Sequence, residues 1–158
     1  MPMLLPRFSR SLRLSQLLPI ATFFLPALQF AVAQSDPPIP SGNIRYSSEL
    51  FRMSTFEEVQ QNLTFLNTGP DQTPGLIVMK LDEHGGNYGI YKHIVVLFNA
   101  TNAPVSFANS QLQGLALHLH PVQQSSNDAL TRQSTFNSKT GTATVPALTT
   151  AVLVAETE

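Results

Sequence analysis

An antiparallel β-sandwich of about 6–8 short strands, with one short N-terminal helix, is the fold that the sequence predicts. Two observations carry this. From Leu63 onward the chain breaks into short stretches rich in apolar and β-branched residues, and each is bounded by turn chemistry such as Asn67-Thr68-Gly69-Pro70, Gly85-Gly86-Asn87 or Lys139-Thr140-Gly141. The chain also contains no cysteine and no internal repeat, which excludes a disulfide scaffold, a thiolate zinc site and a repeat array. Once a leader is set aside, about 120 residues remain, enough to bury roughly two-thirds of their unfolded surface in a single core.

The leader is a different material from the rest. Arg7, Arg10 and Arg13 give a positive start, no acidic residue precedes Asp36, and an apolar run from Leu17 to Ala33 closes on Ala31-Val32-Ala33. Positive region, apolar stretch and small-x-small site make residues 1–33 a signal-peptide-like segment, with cleavage expected between Ala33 and Gln34. Pro19, Pro26 and Gln29 weaken the run as a bilayer span, so membrane contact is expected only through an uncleaved leader. The Arg and Ser content also fits an organellar transit peptide. The expected destination is therefore the medium if the leader is used for secretion, with a plastid or other organelle as the alternative. In a glycosylating pathway, Asn62-Leu63-Thr64 and Asn99-Ala100-Thr101 make Asn62 and Asn99 candidate acceptors.

Residues 34–53 open as a Pro-rich linker, and the body is expected over 54–158. Ser54-Thr55-Phe56-Glu57 fits a capping box, which predicts a helix from Thr55 to about Gln61. Strands are expected at Leu63 to Leu66, Gly75 to Lys80, His93 to Phe98, Leu115 to His120, Thr142 to Val145 and Thr149 to Val154. Ile94-Val95-Val96-Leu97-Phe98 is apolar on both faces and suits a central strand.

Chemistry is sparse. Charged residues are 12% of the chain, the formal net charge is −1, and beyond Arg13 the cations are scattered singly, so no nucleic-acid partner is expected. Glycosidic cleavage needs two carboxylates facing each other across the bond. Asp82 and Glu83 are adjacent and would point to opposite faces of a strand. His118 and His120 share a strand face but lack an evident third ligand, so no metal and no other cofactor is expected. Gly85-Gly86-Asn87-Tyr88-Gly89 lacks the lysine of a phosphate loop. With no tryptophan present, Tyr88 and Tyr91 are the only candidates for a glucan-stacking platform.

Several strings then line up: Ile44-Arg45-Tyr46-Ser47-Ser48, Asn67-Thr68-Gly69-Pro70-Asp71-Gln72 followed by Pro74-Gly75-Leu76-Ile77-Val78-Met79, Ile94 to Ala100, His120-Pro121-Val122-Gln123, and Val145-Pro146-Ala147 with Thr149-Thr150-Ala151-Val152. From about Asn43 to Val154 the chain resembles the C-terminal region of the pullulanase-type α-1,6-glucosidases, the limit dextrinases of the α-amylase superfamily. The resemblance implies a β-sandwich packed on a catalytic barrel, with residues 44–52 corresponding to the barrel's exit. It transfers no catalytic residue, because the family's carboxylates belong to the barrel. Glu49 stands where that family usually has proline, and Leu148 where it usually has arginine.

The expected role is thus an accessory, structural domain of a starch-debranching enzyme, with a catalytic barrel as its partner in cis or in trans. Ile44, Leu50, Phe51 and Phe56 are the expected barrel-facing residues. A gene fragment inactive alone, an autonomous secreted module that binds α-glucan through Tyr88 and Tyr91, and a separately encoded subunit remain open alternatives.

Overall fold

The computed structural model describes residues 43–157. The expected leader and its cleavage site at Ala33 and Gln34 lie outside the described residues. Eight strands form β1 (Leu63–Phe65), β2 (Leu76–Asp82), β3 (Tyr91–Asn99), β4 (Val105–Ala108), β5 (His118–Leu119), β6 (Thr135–Asn137), β7 (Thr142–Val145) and β8 (Thr149–Glu156). Helix α1 runs Phe56–Asn62 and the short α2 runs Pro121–Gln124. All pairings are antiparallel, in a five-stranded sheet ordered β1-β2-β3-β8-β5 and a three-stranded sheet ordered β4-β7-β6. The expected all-β sandwich is the observed fold.

Helix α1 starts one residue later than its sequence signature suggests. Thr55, not Ser54, is the N-cap: its Oγ1 accepts from the Glu58 amide at 3.2 Å, while Glu58 Oε2 accepts from the Thr55 amide at 3.0 Å. The same carboxylate also accepts from the Ser54 amide at 2.8 Å, so Glu58 gathers both available donors and Glu57 is left outside the box.

The core lies in two layers because the large sheet is buried on both faces. On one face Val78, Val95, Leu97, Ala151 and Leu153 pack against Ala143 and Val145 of the small sheet, with Leu112 and Leu117 closing the edge. On the other, Leu81, Ile94, Val96, Val152 and Val154 pack under Leu50, Phe51 and Met53. That second cover comes from two 3₁₀ turns, Ile44–Tyr46 and Glu49–Phe51. The segment 44–53, expected as linker and barrel exit, is therefore an integral cover of this domain. Its leucine, Leu50, is 1% exposed and belongs to the core, not to a free surface. Truncating such a side chain typically costs about 2–5 kcal/mol.

Three expectations about strands need correction. Leu115 to His120 pairs only at His118 and Leu119, because Leu115 and Leu117 pack into the core from unpaired extended chain. Strands β4 and β6 were not expected: they are four and three residues long, and only alternate side chains are even partly covered. A β-bulge at Lys92 also shifts the alternation of β3 between Tyr91 and His93. Tyr91 is thereby turned onto the face of Ile94 and Val96, opposite to strict period two.

Candidate functional site

The Gly-rich segment expected to offer Tyr88 and Tyr91 as a platform is folded inward. Tyr91 is 3% exposed, its ring meeting that of His120 edge-on with centroids 5.5 Å apart. Burial, with the charge of Glu156 nearby, raises the pKa of its hydroxyl. Tyr88 is half-buried against the Leu50 layer. Its ring lies so close over Gly86 that a Cβ there would overlap it. The Tyr88 carbonyl accepts from the Glu49 amide at 2.9 Å and from Ser48 Oγ at 2.9 Å. The Tyr88 backbone thus clamps the second 3₁₀ turn, and the buried ring of Tyr91 is closed to a sugar.

The other candidates take structural tasks. Asn62 and Asn99 are both buried. Asn62 Nδ2 donates to the Glu58 carbonyl at 2.9 Å and its Oδ1 accepts from the His84 amide at 3.0 Å. Asn99 Nδ2 donates to the carbonyls of Ala103 and Pro146, each at 2.8 Å. Neither amide nitrogen is free, so the folded domain has no room for a glycan at either sequon.

His120 is buried and occupied at both ring nitrogens: Nδ1 accepts from the Val122 amide at 3.2 Å and Nε2 meets Ser47 Oγ at 3.0 Å. It cannot ligate a metal with His118 in this state. Among the described residues, no cluster of three metal-ligating side chains converges.

Carboxylates follow the same pattern. Asp82 receives Lys80 Nζ at 2.5 Å and lies 2.7 Å from His93 Nδ1. Burial alone would raise its pKa, but the hydrogen bonds and charges of His93 and Lys80 outweigh that and the net shift is downward. Asp128 caps a turn through Leu130 and Thr131, Glu49 pairs with Arg52, and Glu58 caps α1. None of these carboxylates faces another across a cleft.

The strings quoted from the sequence have structural roles. Asn67 closes its loop, with Nδ2 donating to the carbonyls of Thr73 and Leu76 and Oδ1 accepting from the Thr73 amide. In His120-Pro121-Val122-Gln123, histidine caps α2, proline takes its first turn, and the Gln123 amide continues the edge of β8. Gln123 Nε2 donates to the Thr150 carbonyl at 2.8 Å and Oε1 accepts from the Val152 amide at 2.7 Å.

One surface feature has no structural task within the domain. Register places Ile77 opposite Phe98 and Phe65 opposite Met79, so Phe65, Ile77 and Phe98 share the face of the large sheet that Leu50 covers further along. These three are 50%, 53% and 40% exposed. Beside them runs an open groove of about 470 Å³, bounded by Asn67, Gln72, Pro74 and Ala100. Of the expected barrel-facing residues, Phe56 is also exposed, whereas Ile44 and Phe51 are partly buried.

Residues 42–156 match the family described as alpha-1,6-glucosidases, pullulanase-type, C-terminal. The chain belongs to that family. Over 120 residues it is 42% identical to Pullulanase 1, chloroplastic, of Arabidopsis thaliana, covering 70% of this chain and 12% of the relative. It is 34% identical over 115 residues to a pullulanase of Klebsiella pneumoniae, covering 70% of this chain and 10% of that one. The fold superposes on the maltotriose complex of PulA from Klebsiella pneumoniae with a TM-score of 0.65 at 31% identity, over 72% of this chain and 12% of that one. This pullulanase-type C-terminal domain thus spans about an eighth or less of the pullulanases it matches.

Proposed function

We propose that the domain is a structural accessory of a pullulanase-type α-1,6-glucosidase, completing a catalytic barrel carried elsewhere, in cis in a larger enzyme or in trans, and supplying no catalytic group itself. The observation that carries this reading is the employment of the strings that carry the family resemblance. Asn67, His120, Pro121 and Gln123 all close loops, caps and edges, and the paired carboxylates are spent on caps and ion pairs. Such a domain is built to be rigid and to present a surface, and hydrolysis of an α-1,6 bond requires two carboxylates that it does not align. The glucan-binding alternative loses one of its two candidate contacts with the burial of Tyr91.

Co-expression tests it. Arabidopsis Pullulanase 1 shortened by its last ~120 residues, about the size of one small domain, is produced with and without the full chain. Pullulan hydrolysis that depends on the chain supports the reading. Hydrolysis by the chain alone, or no difference with and without it, overturns it. The leader is assigned to delivery into a compartment where such an enzyme acts. The chloroplastic name of the Arabidopsis relative supports the plastid, and fractionation of a tagged full chain decides between plastid and medium.

A further inference from the structure

We propose that His120 is an acid-sensitive latch on residues 44–53: proton uptake by its ring releases that segment from the large sheet and bares the apolar face beneath it, while the rest of the sandwich stays folded.

His120 stands where four elements meet. Its amide donates to the Val152 carbonyl of β8 at 2.8 Å, and its ring caps α2 through the Val122 amide. The same ring meets Tyr91 of β3 edge-on and reaches Ser47 on the segment. Among the described residues, the segment's only other hydrogen bonds to the sandwich converge on one acceptor, the Tyr88 carbonyl, which receives the Glu49 amide and Ser48 Oγ. The remaining attachment is apolar, with Leu50 over Leu81, Ile94, Val96, Val152 and Val154.

Both ring contacts require the neutral imidazole. A backbone amide can only donate, so Nδ1 must be bare where it meets Val122. A proton there sets N–H against N–H and places a charge in a buried site. Nothing nearby offsets that charge. His118, from β5, adds like charge and, with burial, opposes the cationic form. Tyr91, from β3, brings a hydroxyl that burial keeps protonated, and Glu156, in register with Tyr91, reinforces that. Helix α2 carries no charged side chain, and Ser47 is the segment's contact with the ring. The strands are held by ladders of backbone bonds and the segment by three polar contacts, so the segment yields first. It is closed above about pH 6.5 and opens increasingly as the pH falls from there.

Amide hydrogen exchange of the full chain at pH 7.5 and pH 5, corrected for intrinsic rates, tests this. The groups with an ordinary pKa inside that window are the four histidines, His84, His93, His118 and His120. Protection of the Glu49 and Leu50 amides should fall by about tenfold at pH 5, and by no more than about thirtyfold, the limit for a histidine that titrates at 6.5 once released. Protection at Val95 and Leu153 should hold. His120→Gln should abolish the fall, and His84→Gln and His93→Gln should keep it. Ser47→Ala, which cuts the latch from the segment's side, should lower protection at Glu49 already at pH 7.5. Equal protection at both pH values, or a fall shared by Val95 and Leu153, overturns the latch. So does a fall that persists in His120→Gln or disappears in His84→Gln, whose amide bonds Asn62 beside the Tyr88 clamp. Should His120→Gln not fold, unchanged protection in Ser47→Ala overturns it equally.

Discussion

His120 Nε2 lies 3.0 Å from Ser47 Oγ, a contact that spans 73 residues and ties the 3₁₀ turns to the end of β5. Ser47 Oγ itself donates to the Ile44 carbonyl at 2.7 Å, so it can only accept from the ring. Nε2 therefore carries the proton and Nδ1, which accepts from Val122, is bare. Neutral histidine is the form this site holds. Burial, reinforced by nearby His118, lowers its pKa below the ordinary 6.5.

That relationship fixes a pH dependence. A histidine whose folded pKa is depressed is protonated more readily in the unfolded chain. Its contribution is fully present above about pH 6.5 and is lost as the pH falls from there through the folded value. The urea midpoint of the wild-type chain should drop between about pH 7 and pH 5, and His120→Gln should remove that part of the slope. Ser47→Ala strands a buried N–H and should cost about 1–3 kcal/mol at pH 7.5. A His120→Gln curve parallel to wild type would refute the assignment.

The Asp82 centre titrates lower. Because His93 and Lys80 hold its pKa below the ordinary 3.8 despite burial, its stabilisation is present above that value and lost as the pH falls through the folded one. Asp82→Asn should cost about 1.5–3 kcal/mol at pH 7, since it leaves the poorly exposed Lys80 ammonium without its counter-charge. Repeating the unfolding at pH 3 should shrink the difference between variant and wild type. An equal difference at both values would show that packing, not charge, was lost.

Helix α1 offers a sharper contrast between neighbours. Thr55→Ala removes the N-cap and should cost about 1 kcal/mol. Ser54→Ala keeps the backbone amide that Glu58 actually uses and should change stability by less than about 0.5 kcal/mol. Thermal denaturation of the two variants, side by side, checks it. A larger loss for Ser54→Ala would restore the register that the sequence suggests.

The difference between these two residues illustrates what a sequence can reveal. Short runs of apolar and β-branched residues bounded by turns exposed β2, β3, β7 and β8. No such run marks β6, where Phe136 is the lone apolar side chain among three residues. Tyr91 was misplaced for a different reason. Its burial depends on a bulge at Lys92, a backbone event with no side-chain signature. The parity of Ile77 and Phe98 with Met79 and Val96 was readable, but which half of that face the segment 44–53 would cover was not. That depends on how two 3₁₀ turns pack, not on any local pattern.

Leu148 carries the last prediction. It has φ of 50°, the one non-glycine residue in the left-handed region among those described. Its amide donates to the Thr101 carbonyl at 2.9 Å, which holds the turn into β8. The side chain is 74% exposed, so no packing offsets the crowding of its Cβ against the following carbonyl. That crowding costs an L-residue about 1–2 kcal/mol, and asparagine tolerates it better because its short polar side chain bonds locally. Leu148→Asn should therefore stabilise the domain by about 0.5–1 kcal/mol. Leu148→Gly should gain less, because the freer unfolded chain takes back about 0.4–1 kcal/mol. Leu148→Val, stiffer at Cβ, should lose stability. Urea midpoints in the order Asn, Gly, Leu, Val support a strained turn, and a midpoint for Asn below that of leucine would show that the exposed side chain contributes contacts of its own.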